Sequence, residues 1–167
     1  MKITADQEII NTCGQLLIDL KLTIAFAESA TAGRLCAEFG LVEHAGTFLK
    51  GGLVCYDAEL KKTLLNVPDE LIKKYTPESP EVTSLITEGL RELIPADIHI
   101  GCTGLTCPGG SETEEKPVGT IFLYALQGQD VIFSERLWFP GSPEEIILST
   151  VESVAKMLVQ HLARLKF

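Results

Sequence analysis

Residues 22–28, Leu22-Thr23-Ile24-Ala25-Phe26-Ala27-Glu28, running into Ser29-Ala30-Thr31-Ala32-Gly33, decide how this chain is built. The first seven form a short, nearly continuous apolar run that ends in a carboxylate, the pattern of a strand buried on both faces. Small and polar turn residues follow, and a helical pattern then runs from about Thr31 to Phe39. A strand that passes directly into a helix is the repeating unit of an α/β fold. In open α/β sheets, ligands bind in the crevice beyond the carboxyl ends of the strands. The turn that carries Ser29 is therefore the first place to look for chemistry.

Outward from this unit the same grammar repeats. Upstream, Thr4 with Gln7 three residues on reads as a capping box opening a helix, with Ile9, Ile10, Cys13, Leu16, Leu17 and Leu20 at helical spacing. Downstream come a strand at 52–56, a short helix at 58–65 and a helical turn or two from Pro68. Ser79-Pro80-Glu81 supplies an N-cap, a first-position proline and a first-turn acid, and Val82, Leu85, Ile86, Leu90 and Leu93 form the stripe behind it. Strands are expected at 98–103, 118–126 and 131–138, the last two joined as a hairpin around Gln127-Gly128-Gln129-Asp130. Ser142-Pro143-Glu144-Glu145 launches a long final helix. This order predicts an α/β fold with a mixed five-stranded sheet. Its heart is parallel because helices connect the first three strands, and the late hairpin inserts one antiparallel strand. With no repeat, low-complexity stretch or linker, residues 1–167 read as a single domain.

At 46% hydrophobic and 22% charged residues, the composition is that of a soluble globular chain. The net charge of −9 argues against a nucleic-acid surface, which needs clustered Lys and Arg. An anionic small molecule remains compatible, because helix N–H groups supply local positive potential. No apolar run approaches the ~20 residues of a membrane span, and Met1–Asp6 turns polar at once, so a cytoplasmic location is expected. The five cysteines form no CxxC pair and four lie in apolar patterns, so neither a disulfide framework nor a metal site is expected. His44, His99 and His161 are scattered, and His99-Ile100-Gly101-Cys102 has no second pair to complete a zinc site.

Three segments carry candidate chemistry. Ser29, where the first strand turns, reads either as an N-cap or as a nucleophile held against helix N–H groups. Lys61 follows the second strand on a short helix. It is either a solvated surface group or a lysine kept neutral by burial, able to activate a serine that lacks a histidine. Tyr56, at the strand end, could orient that lysine or simply cap the rim. The segment 103–120 places Gly104, Gly109, Gly110 and Gly119 around Pro108 and Pro117, with Ser111, Thr113 and three glutamates between. At roughly 14 residues it exceeds the usual connection, and long ordered loops are often functional. The plainer alternative for so acidic a segment is a disordered excursion. It is neither a P-loop nor a dinucleotide fingerprint.

Taken together, Ala27–Gly33, Gly51–Lys61 and Thr103–Thr120 resemble the marks of the CinA C-terminal domain family. Those marks are Ala-Glu-Ser-x-Thr-Gly-Gly, Gly-Gly-x-Val-x-Tyr with a lysine five residues on, and Thr-Gly-Ile-Ala-Gly-Pro-Gly-Gly followed by Glu-Lys-Pro-Val-Gly-Thr. Leu64–Leu71 is similar to the family as well. The resemblance implies a three-layer α/β/α sandwich and an amidohydrolase that converts nicotinamide mononucleotide to nicotinic acid mononucleotide and ammonia, without cofactor or metal. It implies Ser29 as nucleophile, Lys61 as its base and Tyr56 as a supporting hydroxyl. It also implies substrate binding by Glu28, Thr31, Gly33, Thr103, Gly104, Gly109, Gly110 and Lys116. The expected partner is a small-molecule nucleotide rather than nucleic acid or membrane, with homo-oligomerisation left open. Family members often carry a second, N-terminal domain, for which 167 residues leave no room.

The chain departs from the pattern at Ala32, which replaces a glycine, and at Thr106-Cys107, which stand where Ala-Gly is usual. Ser142-Pro143 stand where the family has Asp-Arg, so an arginine that could grip a phosphate is missing. These departures motivate an alternative, a non-catalytic nucleotide-binding module derived from the enzyme, and a third reading with Cys107 as nucleophile.

Overall fold

The computed structural model describes residues 4–166. Its helices are α1 (Gln7–Leu20), α2 (Arg34–Gly40), α3 (Ala58–Thr63), α4 (Asp69–Tyr75), α5 (Pro80–Leu93) and α6 (Pro143–Leu165). Its strands are β1 (Ile24–Glu28), β2 (Leu49–Val54), β3 (Ile98–Gly104), β4 (Thr120–Gln127) and β5 (Asp130–Trp138). The strands form one sheet in the order β2-β1-β3-β4-β5. β1 runs parallel to β2 and β3, while β4 is antiparallel to both of its neighbours. This is the mixed five-stranded α/β sheet expected from the element order, with β4 as its one reversed strand.

Every residue of β1 is buried, and strand alternation divides its side chains between two cores. Phe26 points to the face covered by α1, α2 and α6, where it meets Phe39 of α2 at a ring separation of 5.1 Å. Ala25 and Ala27 point to the opposite face, beneath Val82, Ile86 and Leu90 of α5. Small residues there let α5 approach closely. A Cβ added at Gly101 of β3 would lie 2.1 Å from the Thr87 hydroxyl oxygen. α6 is long and apolar enough to cross a membrane by length and composition, yet Val151, Val154, Leu158 and Leu162 are buried in the core shared with α1.

Strand and helix ends differ from the sequence reading by a residue or two at several places, among them β1 from Ile24 and β4 from Thr120, and three differences are larger or bear on the site. α1 is capped by Asp6, whose carboxylate accepts the N–H groups of Glu8 and Ile9, so Thr4 caps nothing. β2 starts at Leu49 and ends at Val54, before Tyr56. α2 starts at Arg34 instead of Thr31, because residues 30–33 form a turn of their own. These shifts leave the carboxyl ends of β1, β2 and β3 side by side.

Candidate active site

The turn after β1 is organised by the last residue of the strand. Glu28 is fully buried. One of its carboxylate oxygens accepts from the Thr31 hydroxyl (2.7 Å) and from the N–H groups of Gly33 (3.0 Å) and Leu35 (2.9 Å). The other accepts from the Cys36 N–H (2.8 Å). A strand residue thereby caps a helix that begins six positions later, satisfying N–H groups that a helix start leaves unpaired. Glu28, Thr31 and Gly33, expected on the substrate, are placed otherwise. Glu28 and Thr31 are buried in this cap, and Gly33 lines a separate groove with Arg34, Glu144 and Ile147.

Ser29 sits between the strand and the cap. Its N–H donates to the Cys102 carbonyl of β3 (2.9 Å), and its carbonyl accepts from the Ala32 N–H (3.2 Å). Ser29 is therefore not an N-cap; that position falls to Gly33. Its hydroxyl lies 3.0 Å from the Lys61 Nζ. Lys61 reaches it from α3, whose start is fixed by Asp57 accepting the Glu59 N–H (2.7 Å). The Lys61 side chain is buried, 1% exposed, and its amine also donates to the Cys55 carbonyl (2.8 Å).

Burial lowers the Lys61 pKa below 10.5, since an ammonium cut off from water loses hydration. The Cys55 thiol and the Glu78 and Asp57 carboxylates pull in the opposite direction. A neutral amine here keeps one N–H on the Cys55 carbonyl and can turn its lone pair to the Ser29 hydroxyl. Tyr56 is 61% exposed and makes no hydrogen bond to Lys61 among the described residues. The carbonyl one position earlier orients the lysine instead.

Ser29 opens into a cavity of about 220 Å³. It is lined by Ser29 and Ala30 of the turn, by Tyr56 and Glu78, and by the loop wall Gly104 to Gly110. Among the described residues, the N–H groups of Ala30, Thr106 and Cys107 donate to no protein acceptor. All three belong to residues that line the cavity. Thr106 is buried and Cys107 is exposed, and both residues line the cavity. Cys13, Cys55 and Cys102 are buried, and burial pushes the Cys13 thiol up to about 12.

The wall is a pinned loop, not a loose acidic excursion. Leu105 and Gly119 close its base through Leu105 N–H to the Thr120 carbonyl (2.9 Å) and Gly119 N–H to the Leu105 carbonyl (2.7 Å). Lys116 ties its middle to the α4–α5 connection. Its amine donates to the Thr76 hydroxyl (2.7 Å), the Glu78 carbonyl (2.9 Å) and the Ser111 hydroxyl (2.7 Å). Lys116 is thus a strap and does not line the cavity. Thr103 is fully buried, its hydroxyl 2.8 Å from that of Thr83 on α5, so it too stands away from the ligand space. Gly104, Gly109 and Gly110 do line the cavity. However, the Gly109 N–H is taken by the Glu112 carboxylate (2.7 Å), and a Cβ at Gly104 would lie 2.5 Å from the Thr120 carbonyl. Two contributors had no sequence signal: the Cys55 carbonyl, and Glu78, which precedes an ordinary helix start.

Comparison with known proteins places this geometry in a family. A model of the CinA C-terminal domain matches residues 6–162. A CinA-like protein of Syntrophus aciditrophicus is 30% identical over 158 residues, 95% of this chain and 37% of that protein. A CinA-like protein of Thermotoga maritima is 40% identical over 126 residues, 75% of this chain and 31% of that protein. The chain therefore spans well under half the length of these curated relatives. Two crystal structures of CinA superfamily proteins, each 25% identical, superpose closely. One from Klebsiella pneumoniae has a TM-score of 0.89, covering 95% of this chain and 98% of that one. One from Escherichia coli has a TM-score of 0.84, covering 96% and 94%.

Proposed function

The chain belongs to the CinA C-terminal domain family, and from that membership and the Ser29–Lys61 contact we propose an amidohydrolase that converts nicotinamide mononucleotide to nicotinic acid mononucleotide and ammonia. The observation that carries the reading is a buried amine 3.0 Å from a serine hydroxyl at the edge of a cavity. The substrate comes from the family resemblance, and the chemistry from the site.

Neutral Lys61 takes the Ser29 proton as Oγ attacks the amide carbon, forming a C–O bond and an oxyanion. The Ala30 N–H, with those of Thr106 and Cys107, is available to that oxyanion. The Lys61 ammonium then gives its proton to the amide nitrogen, the C–N bond breaks and ammonia leaves an acyl-Ser29. Lys61, neutral again, takes a proton from water as the water oxygen attacks the ester carbon. The C–Oγ bond then breaks, the Lys61 ammonium returns a proton to the Ser29 Oγ, and the product acid leaves and ionises to the carboxylate. Tyr56, exposed and part of the cavity lining, would cover the reacting ring. A cavity of about 220 Å³ is smaller than the ~300–1,000 Å³ of drug-sized sites. It suits the amide-bearing ring, with ribose and phosphate outside. No arginine stands at 142–143, where Ser142 instead caps α6. Free cysteines throughout the described residues suit a reducing compartment such as the cytoplasm.

The test is ammonia release from nicotinamide mononucleotide. Ser29→Ala is expected to reduce it by at least ~10³-fold, the scale on which a lost nucleophile acts. Unchanged turnover in that variant would sink the assignment. The presence of Thr106 and Cys107 in the cavity lining, where the family pattern has Ala-Gly, favours one second reading, a nucleotide-binding module without turnover. Calorimetric uptake of the nucleotide by the wild-type protein, with no ammonia formed, would favour it.

A further inference from the structure

We propose that Glu78 makes this cavity selective for an amide carried on a cationic ring, a specificity that rests on the amidohydrolase reading above. The α4–α5 connection brings Glu78 to the cavity wall. One carboxylate oxygen accepts the Ser111 hydroxyl at 2.5 Å, and the Glu78 carbonyl accepts from Lys116 at 2.9 Å. The group is thus fixed in place by the loop strap. Lys116 donates to three uncharged oxygens and makes no direct ion pair with the Glu78 carboxylate among the described residues. Its ammonium is held one hydroxyl away, through Ser111, and attracts that carboxylate from outside the cavity lining. None of the residues lining the cavity is a lysine or arginine. Lys61 lies behind Ser29 and must be neutral when it acts. Among the described residues, Glu78 then carries the only formal charge on the cavity wall.

An N-alkylated pyridine carboxamide bears its positive charge in the ring that carries the amide. Beside Glu78 that ring gains an attraction that a neutral ring of the same outline does not. The attraction of opposite charges at contact distance is weak in water and several times stronger near a protein surface. Tenfold discrimination, about 1.4 kcal/mol, is therefore within reach at a half-open site. The charge also acts on turnover. Hydrolysis turns the neutral amide into a carboxylate in the same cavity as Glu78, and like charges there favour departure of the product.

The experiment uses a background that cannot turn over. Ser29→Ala and Ser29→Ala/Glu78→Gln are titrated calorimetrically with nicotinamide mononucleotide, whose ring is cationic, and with its dihydro form, whose ring is neutral. The expected result is about tenfold tighter binding of the cationic form by Ser29→Ala and loss of that preference in the double variant. The amide oxygen that Glu78→Gln introduces can still accept from Ser111. Ser29→Ala/Glu78→Asp, which keeps the charge, is expected to keep the preference. In the otherwise wild-type enzyme, Glu78→Gln removes a charge that holds the Lys61 pKa up, so the pH–rate rise moves to lower pH. A merely structural role would not move it. Equal affinities in Ser29→Ala, uptake of neither form, or a preference that survives Glu78→Gln would overturn the proposal. Ammonia release by the wild-type protein without the preference overturns this inference alone. The preference without ammonia release overturns the amidohydrolase reading alone.

Discussion

The turn after β1 and the loop after β3 leave neighbouring parallel strands at the same end of the sheet, yet they are held by opposite means. In the turn, polar groups are consumed internally. Glu28 is buried with four donors on its carboxylate, and the Ser29 backbone is bonded at both its N–H and its carbonyl. In the loop, hydrogen bonds gather at the base and at the Lys116 strap, leaving the Thr106 and Cys107 N–H groups without acceptors among the described residues. A nucleophile needs a fixed position, whereas a ligand wall needs donors still to spend. The same division separates two lysines whose pKa values burial lowers. Lys61 keeps one partner that can give up a proton, the Ser29 hydroxyl. Lys116 faces two hydroxyls and a carbonyl that hold the loop.

The largest effect expected from breaking this contrast is at Lys61. Lys61→Met fills the same buried channel without a base, and ammonia release is expected to fall by ~10³-fold, within the usual range for a lost general base. The melting temperature should hold, because an apolar side chain suits that burial. On the amidohydrolase reading, the wild-type rate is expected to rise with pH as Lys61 loses its proton. Desolvation places that rise below the 10.5 of a free lysine, and a pH–rate profile checks it. A rise at or above 10.5 would mean that the lysine is solvated when it acts.

Glu28 comes next, and its effect is on stability. Glu28→Gln replaces one acceptor oxygen by an NH₂ group facing backbone donors, leaving buried N–H groups unpaired. A loss of about 2–3 kcal/mol is expected by urea denaturation. Activity should fall with the folded fraction and no further. If activity drops far more than stability, Glu28 touches the reaction and the turn is more than a scaffold.

These two positions also mark what could be read from the residues alone. The sheet was legible because its signals are local: the apolar run 24–28, the Ser79-Pro80 and Ser142-Pro143 helix starts, and a turn at Gly128. The Ser29–Lys61 pairing was accessible only through the family's motifs, since each residue alone reads as a cap or a surface group. The place of Glu28 was hidden, because a strand residue capping the next helix is a tertiary contact without sequence periodicity. Thr103 and Gly104 are adjacent, but strand alternation sends one into the α5 interface and brings the other to the cavity. Which of the two meets α5 is set by the face of β3 that packs on that helix. Glu78 enters the cavity because a connection from a different layer crosses behind the loop.

A smaller effect is expected at the strap. Lys116→Met removes three hydrogen bonds from a half-buried amine and frees the middle of the loop. KM for the nucleotide is expected to rise by about five- to tenfold, near 1 kcal/mol, one ordinary hydrogen bond's worth of ligand positioning. kcat should be nearly unchanged, because Lys116 bonds to neither Ser29 nor Lys61. Steady-state kinetics separate the two parameters, and an equal loss in kcat would place Lys116 in the chemistry.

The smallest effect lies inside the turn itself, at a residue where this chain departs from the family's glycine. Ala32 has φ +48° and is followed by Gly33 at φ +96°, so two consecutive residues occupy the left-handed region. A side chain there costs roughly 1–2 kcal/mol, because Cβ crowds the following carbonyl. Glycine would remove that strain but give the unfolded chain more freedom, worth about 0.5–1 kcal/mol in the opposite direction. The first term is the larger, so Ala32→Gly should stabilise the protein by about 0.5–1 kcal/mol, read as a shift in denaturation midpoint at constant m. A destabilised variant would mean that the Ala32 methyl contributes packing that outweighs its strain. A stabilised one with slower ammonia release would mean that the stiffness of this turn itself serves to hold the Ser29 hydroxyl on Lys61.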